Sequence, residues 1–280
     1  MRHGVGSVVN KTVIYTVCII LTILSIFPFW LMIVNATRST TEIQQTAISL
    51  IPSTHIIGNA KALLGKSFNP LLGFVNSMII STCATVCSVY FSTMTAYALV
   101  VYDWKLRRPF FTFIMAVMMI PAQCTTIGFY QMMYSWGWTN SFLPLILPAI
   151  AAPSMVFFMR QYMIPSLSLE IIQSARIDGA GEFYTFNTIA LPIMKPAIAT
   201  QAIFSFVTNW NNLFLPSILL TRDSKWTMPI MVSQLKGDHY KTEYGSVYLG
   251  LTLTVLPLFI VYFALSKYII AGVALGSVKG

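Results

Sequence analysis

Six long apolar runs, separated by polar stretches punctuated with proline and glycine, set the pattern of this chain. They are Val13–Val34, Leu72–Val101, Phe110–Met133, Phe142–Met159, Ala197–Leu220 and Gly245–Ser266. Each is near or above the roughly 20 residues that an α-helix needs to cross a hydrocarbon core. None contains Asp, Glu, Lys or Arg. Backbone amides have no water to bond inside a bilayer, so apolar runs of this length predict helices. The expected fold class is all-α: a polytopic integral membrane protein with six transmembrane helices in one transmembrane domain, 1–280. The first run is too long for a signal-peptide core and lacks a small-x-small cleavage site, so it is expected to remain as an anchor.

The segments between the runs carry most of the polar information. Residues 35–71 are polar and proline-punctuated, with a short helix expected around Asn59–Leu64. Ser77, Ser81, Thr85, Ser88 and Ser92 recur every three or four positions and share one face of the second run. They line either a hydrophilic pathway or a close helix contact; small residues favour the second in lipid. The connection from Arg160 to Pro196 is the longest on its side of the membrane. Pro165 is expected to close the fourth run, and Ser168 to cap a short helix with Glu170 in its first turn. Gly179 should stop that helix in the left-handed conformation. A second helix should run from Glu182 toward Leu191 and end at Pro192. Both are shorter than the roughly 12–15 residues that an isolated helix needs in water. Leu169, Ile172, Phe183, Phe186 and Ile189 are expected to be exposed there among charges, either as a partner surface or as an amphipathic face lying on the bilayer. Thr221–Tyr244 reads as a solvated loop, and Tyr268–Gly280 as a flexible tail.

Composition agrees with the membrane reading. Apolar residues make up 56% of the 280 and charged residues 9%, whereas soluble domains carry about a quarter charged. The net charge of +9 is scattered between the runs and forms no continuous face, so no nucleic-acid partner is expected. The compact cluster Lys105-Leu-Arg107-Arg108 favours an arrangement with both termini inside. Cys18, Cys83, Cys87 and Cys124 lie within the runs as packing residues, and His3, His55 and His239 have no ligand-like neighbours, so no metal site is expected. Gly65-Lys66-Ser67 lacks the glycine five positions earlier that a phosphate loop requires, since position 60 is Ala. No catalytic constellation is present. Ion-coupled carriers usually place ionisable residues in their spans, and here there are none. Polar content at membrane depth concentrates in Asn209-Trp210-Asn211-Asn212. These residues suit either bonds between helices or an uncharged polar ligand, with Trp210 stacking on a sugar. Energy for transport would then enter from outside the spans, most directly through Gln173–Pro192.

The segment Ala175-Arg-Ile-Asp-Gly-Ala180, followed by Phe186, Ile189 and Leu191-Pro192, resembles the cytoplasmic coupling loop of bacterial ABC importer permeases. The wider chain resembles the six-span second permease subunit of maltose-type carbohydrate systems. Phe27-Pro28-Phe29-Trp30, Asn76-Ser77, Trp210-Asn211 and the terminal Gly276-Ser-Val-Lys-Gly280 are the further features it shares. The resemblance implies a type I ABC importer permease, with a core over 72–268, a cytoplasmic coupling loop at 164–196, extracytoplasmic loops at 35–71 and 221–244, and a cytoplasmic tail at 268–280. It implies a permease subunit rather than an enzyme, in a bacterial inner or cytoplasmic membrane. Its partners would be a second permease in a heterodimer, two ATPase subunits that bind the ATP and Mg, an extracytoplasmic solute-binding protein and the lipid bilayer. The cargo would be a sugar, an oligosaccharide by family branch. Gln173, Ser174, Ala175, Asp178, Gly179 and Glu182 would then contact the ATPase, as would Val278 and Lys279 of the tail. Trp226, Met228 and Met231 fall in the stretch that would meet the binding protein, and Asn209, Trp210 and Asn212 on the substrate pathway. One departure stands out: the motif's leading Glu-Ala-Ala is Gln173-Ser174-Ala175 here, so a charge-assisted bond is lost. That contact is expected to be weaker, or to be carried by Glu170 or Glu182 instead. The alternative is an ion-coupled secondary carrier or channel acting without an ATPase.

Overall fold

The computed structural model describes residues 5–65, 68–235 and 243–277. The described residues are about 79% helical, and no strand occurs among them. The helices are α1 (Val5–Ala36), α2 (Thr40–Gln45), α3 (Ile56–Gly65), α4 (Pro70–Val101), α5 (Arg107–Val117), α6 (Ala122–Ser135), α7 (Leu143–Ile146), α8 (Pro153–Ser166), α9 (Leu169–Ile177), α10 (Glu182–Thr185), α11 (Leu191–Ile193), α12 (Lys195–Trp210), α13 (Phe214–Leu219), α14 (Met228–Gln234) and α15 (Tyr244–Ser277). A 3-10 turn at Leu147–Ile150 follows α7, and a π-turn at Phe186–Ala190 joins α10 to α11.

All six apolar runs are largely helical, but three of them are broken. Phe110–Met133 divides between α5 and α6 because Pro121 has no amide proton and disfavours helix at the residue before it. Phe142–Met159 divides at Ala151–Ala152, ahead of Pro153, and Ala197–Leu220 divides at Asn211–Leu213. Among the described residues, Lys11–Ala36, Pro70–Val101 and Leu143–Ser166 are each long and apolar enough to cross a membrane. α12 meets the same test only together with Glu182–Ile193, and an 80° bend between the two takes that stretch out of the line of α12.

Two compact units are present. Among the described residues, one comprises those up to Pro70 together with those of 231–256; the other comprises Leu71–Ile230 with those from Pro257 to Ser277. In the first, Arg38 is buried and donates to Asn35 Oδ1 and to the carbonyls of Thr46 and Glu42. Its own carbonyl accepts from Asn59 Nδ2 at 2.9 Å. Ser39 and Glu42 form a capping box that starts α2. In the second, the main core joins α4, α8, α9, the π-turn and α12 through residues including Tyr97, Met159, Met163 and Met194.

The serine and threonine stripe of α4 is buried along its whole length. Ser88 Oγ lies 3.1 Å from Ser205 Oγ on α12, and Ser77 Oγ accepts the Met228 amide at 2.9 Å. The stripe is therefore a helix-packing seam in this structure.

Candidate functional site

The site is built on the connection between α8 and α12. α8 runs through Pro165 to Ser166, one residue beyond the expected stop. Ser168 caps α9 by accepting the Glu170 amide at 3.2 Å. At its other end Asp178 is the cap and Gly179 adopts φ +79°, which only glycine takes without strain. The Gly179 amide donates to Arg176 O at 3.1 Å and the Ala180 amide to Ala175 O at 2.9 Å. This paired pattern is the Schellman motif, and it reverses the chain into α10.

Two sequence expectations need correction. Pro192 does not end the second helix; the helical path continues to Ile193. A regular α-turn would press the proline ring onto the carbonyl four residues earlier. The Phe186–Ala190 turn widens to a π-turn, with the Leu191 amide bonding Phe186 O, and this admits Pro192. The 80° bend then falls at Met194, between Pro192 and Pro196. Ile172 and Phe186 are not exposed: they are 1% and 3% accessible, packed among Tyr97, Met159 and Met163, and Ile189 is half-buried. Burying two such side chains stabilises by about 1.5–3 kcal/mol each, which is how helices this short persist. The outward apolar surface consists of Leu169, Ile171, Phe183, Tyr184 and Ile177, the last 86% exposed.

An electrostatic brace closes the loop. Arg176 Nε donates to Glu182 Oε1 at 2.7 Å. Tyr102, just beyond α4, donates its hydroxyl to Glu182 Oε2, and its ring lies 5.3 Å beneath the Arg176 guanidinium. The Arg176 bond, then the Tyr102 bond, hold the Glu182 carboxyl below the ordinary carboxylate range. Burial, then the bond to Glu182, push the Tyr102 phenol up to about 12. Glu182 is thus spent on a contact within the chain and is poorly placed to replace the motif's missing glutamate. Gln173, Ser174, Asp178 and Gly179 are exposed on the outer surface of the turn, while Ala175 is buried. Glu170 is exposed and stays available.

The remaining candidates are dispersed. Trp210 is 1% exposed, with Phe206 stacked on it at 5.7 Å and Phe74 edge-on at 5.7 Å. A ring so enclosed has no free face for a sugar in this conformation. Asn209 Nδ2 turns back onto Ser205 O at 2.8 Å, and Asn212 is half-buried. Met228 and Met231 are buried, which withdraws them from any external partner, while Trp226 is half-exposed. Val278, Lys279 and residues 236–242 of the Thr221–Tyr244 stretch lie outside the described residues.

Three residues organise these loops; Tyr102 and Asn140 drew no attention in the sequence, and Asn76 did so only through the family resemblance. Tyr102 anchors Glu182. Asn76 Nδ2 donates to the carbonyls of Ser224 and Trp226 at 3.2 and 2.9 Å. Asn140, itself at φ 60°, accepts on Oδ1 from the amides of Thr221 and Arg222, both at 2.8 Å. The stretch from Thr221 to Met228 is therefore pinned rather than a loose solvated loop. Asn140 at positive φ beside a Trp-Thr pair carried a weak turn signal; Tyr102 carried none.

Comparison with known proteins matches residues 88–274 to the model of the binding-protein-dependent transport system inner membrane component family. That range includes the whole α8–α12 connection. The arabinooligosaccharides transport system permease protein AraQ of Halalkalibacterium halodurans is 36% identical over 259 residues, 92% of each chain. AraQ of Bacillus subtilis is 30% identical over 282 residues, covering both chains fully. The lactose transport system permease protein LacG of Rhizobium radiobacter is 31% identical over 265 residues, 95% of each chain. The crystal structure of a bacterial ABC transporter involved in the import of the acidic polysaccharide alginate includes a chain that superposes with a TM-score of 0.80. It shares 21% identity and covers 96% of this chain and 100% of that one, which establishes the fold. The chain is a membrane-embedded permease subunit of the ABC importer class, not itself an enzyme, and it belongs to the family of binding-protein-dependent transport system inner membrane components.

Proposed function

We propose that this chain carries a sugar, an oligosaccharide in the first instance, across a bacterial inner or cytoplasmic membrane. It would act as one half of a permease heterodimer with two ATPase subunits and an extracytoplasmic solute-binding protein. ATP and Mg²⁺ would be bound by the ATPase subunits and not by this chain. Both termini and the α8–α12 connection face the cytoplasm in this reading.

The observation that carries it is the architecture of the α9–Gly179–α10 turn. Its inner face is locked to the spans through Ile172 and Phe186, and its outer face offers Gln173, Ser174, Asp178 and Ile177. An apolar, charge-rimmed surface on a braced turn suits a rigid docking contact. Closure of the ATPases would push on that face and so drive alternating access. The names of the AraQ and LacG relatives support a sugar as cargo.

The test is purification of the tagged chain from cells expressing its neighbouring genes, followed by reconstitution. An ATPase and a second permease should copurify, and vesicles should accumulate arabinooligosaccharide or lactose only with ATP and the binding protein. Uptake by the chain alone, driven by an ion gradient, would sink this reading and favour a secondary carrier.

A further inference from the structure

α5 packs on α8 through Leu99 of α4, Ile114 and Val156, and through Phe111 stacked on Phe157 at 6.4 Å. Beside this contact lies a cleft of about 400 Å³, lined by Arg107, Arg108, Phe111, Thr112 and Arg160. A second cleft shares Arg107 and Arg108 and adds Trp104 and Lys105. Four cations therefore converge here against one acid, Asp103, which lies 3.8 Å from Arg107 with its side chain almost fully in solvent.

The state of the arginines is what points to a ligand. The Arg160 guanidinium lies 4.3 Å from the centre of the Phe111 ring, so one face is covered and its donors project in plane. Its Nε is buried and has no hydrogen-bond partner. Among the described residues, neither Arg108 nor Arg160 has a carboxylate within ion-pair distance. Leaving a buried charged donor unpaired is costly, and a stacked guanidinium is pre-organised to bind a phosphate through two of its N–H groups. The start of α5 adds the positive end of a helix dipole, since no side chain caps it.

The position selects the source of the anion. The cleft lies just past the end of the α4 span, at Val101. Trp104 and Leu106 are exposed beside it, and Phe110 and Phe113 are exposed on α5 itself. Exposed aromatic and aliphatic side chains next to a basic cluster mark the membrane interface, where acyl chains would pass over Phe110 and Phe113. We propose that this cleft binds the phosphodiester headgroup of an anionic phospholipid, with Arg108 and Arg160 as its main donors.

The experiment uses the assembled transporter purified in detergent, with native mass spectrometry to count retained phosphatidylglycerol against phosphatidylcholine. Wild type should retain phosphatidylglycerol in preference. Each arginine removed should weaken retention about fivefold, from the contribution of one basic residue near an anionic membrane. The double variant Arg108→Gln, Arg160→Gln should lose the preference. The double variant Arg108→Lys, Arg160→Lys keeps the charge but not the planar two-pronged donor set, so it should fall between wild type and the glutamine variant. Lys61→Gln with Arg222→Gln removes the same charge elsewhere and should leave it intact. Should the double glutamine variant fail to assemble, Arg108→Gln alone, at an exposed position, still reads the fivefold loss. Equal retention of both lipids by wild type would overturn the proposal, as would an unchanged preference in the glutamine variants. Displacement of the lipid by millimolar inorganic phosphate would reassign the cleft to a soluble anion. Loss of the copurifying ATPase with lipid retention unchanged would assign these arginines to a protein contact instead.

Discussion

Replacing Gly179 tests how the α9–α10 turn works, because the glycine is required by conformation and not by space. A Cβ built there meets no atom within 4 Å, yet the backbone holds φ +79°. An L-residue in the left-handed region costs about 1–2 kcal/mol, with β-branched valine at the upper end because its χ1 is also restricted. The chain escapes that strain only by giving up the Gly179–Arg176 and Ala180–Ala175 bonds, worth about 0.5–1.5 kcal/mol each. By either route Gly179→Val costs about 1–3 kcal/mol. At about 1.4 kcal/mol per factor of ten, the turn geometry becomes roughly ten- to a hundredfold rarer. Glu182 would then leave Arg176, and the outward face would lose its shape. The assay is ATP-driven uptake by the reconstituted assembly, with membrane level and copurifying ATPase measured alongside. Valine should abolish uptake without preventing insertion, alanine should fall between, and asparagine should stay near wild type because it tolerates the left-handed region. Normal uptake by Gly179→Val would refute the reasoning. Asparagine as harmful as valine would show that side-chain volume on the outer face matters, not backbone conformation.

Three further expectations follow from the same geometry. Because Glu182 titrates lower in the folded protein, its stabilisation is present above the ordinary carboxylate pKa and is lost as pH falls through the folded value. Proteolytic nicking of the α9–α10 turn should therefore rise as pH is lowered from neutral to about 3, while Glu182→Gln should be nicked equally across that range; the partner Tyr102, with its raised pKa, keeps its contribution below its ordinary value and loses it only as pH climbs through about 12. Trp210→Ala should lower stability by about 3–5 kcal/mol in thermal unfolding, since the ring is enclosed by Phe206 and Phe74; unchanged melting with lost sugar uptake would instead make it a ligand contact. Gly245→Ala should destabilise by about 1–3 kcal/mol, because an added Cβ would collide with the Arg38 carbonyl and the Asn59 side-chain amide, and an unaltered unfolding temperature would contradict that packing.

What can be read from the chain alone divides by range. Ser168 as a cap and Gly179 as a stop act over a few residues, so local chemistry is enough to place them. The burial of Ile172 and Phe186 depends on which face of a nine-residue helix meets α4 and α8, and in a chain apolar almost throughout, hydrophobicity does not separate core from lipid from partner. Glu182 pairs with Tyr102 across 80 positions, a distance no periodicity spans. Pro192 departs from the rule for a regular helix because a π-turn relieves the clash. These corrections bear on mechanism together. A loop exposed on both faces would absorb a push by bending or melting. This one is held by Phe186 against Tyr90 and Tyr97 at 5.7 and 5.4 Å, and by Asn187 accepting from the Tyr90 hydroxyl at 3.2 Å. Close-packed side chains of this kind are far stiffer than a solvated turn. On the proposed function, a push on the outer face at Ile177 or Asp178 would have α4, α8 and α12 as its path, and the packing of Phe186 would let the turn transmit it as a rigid piece.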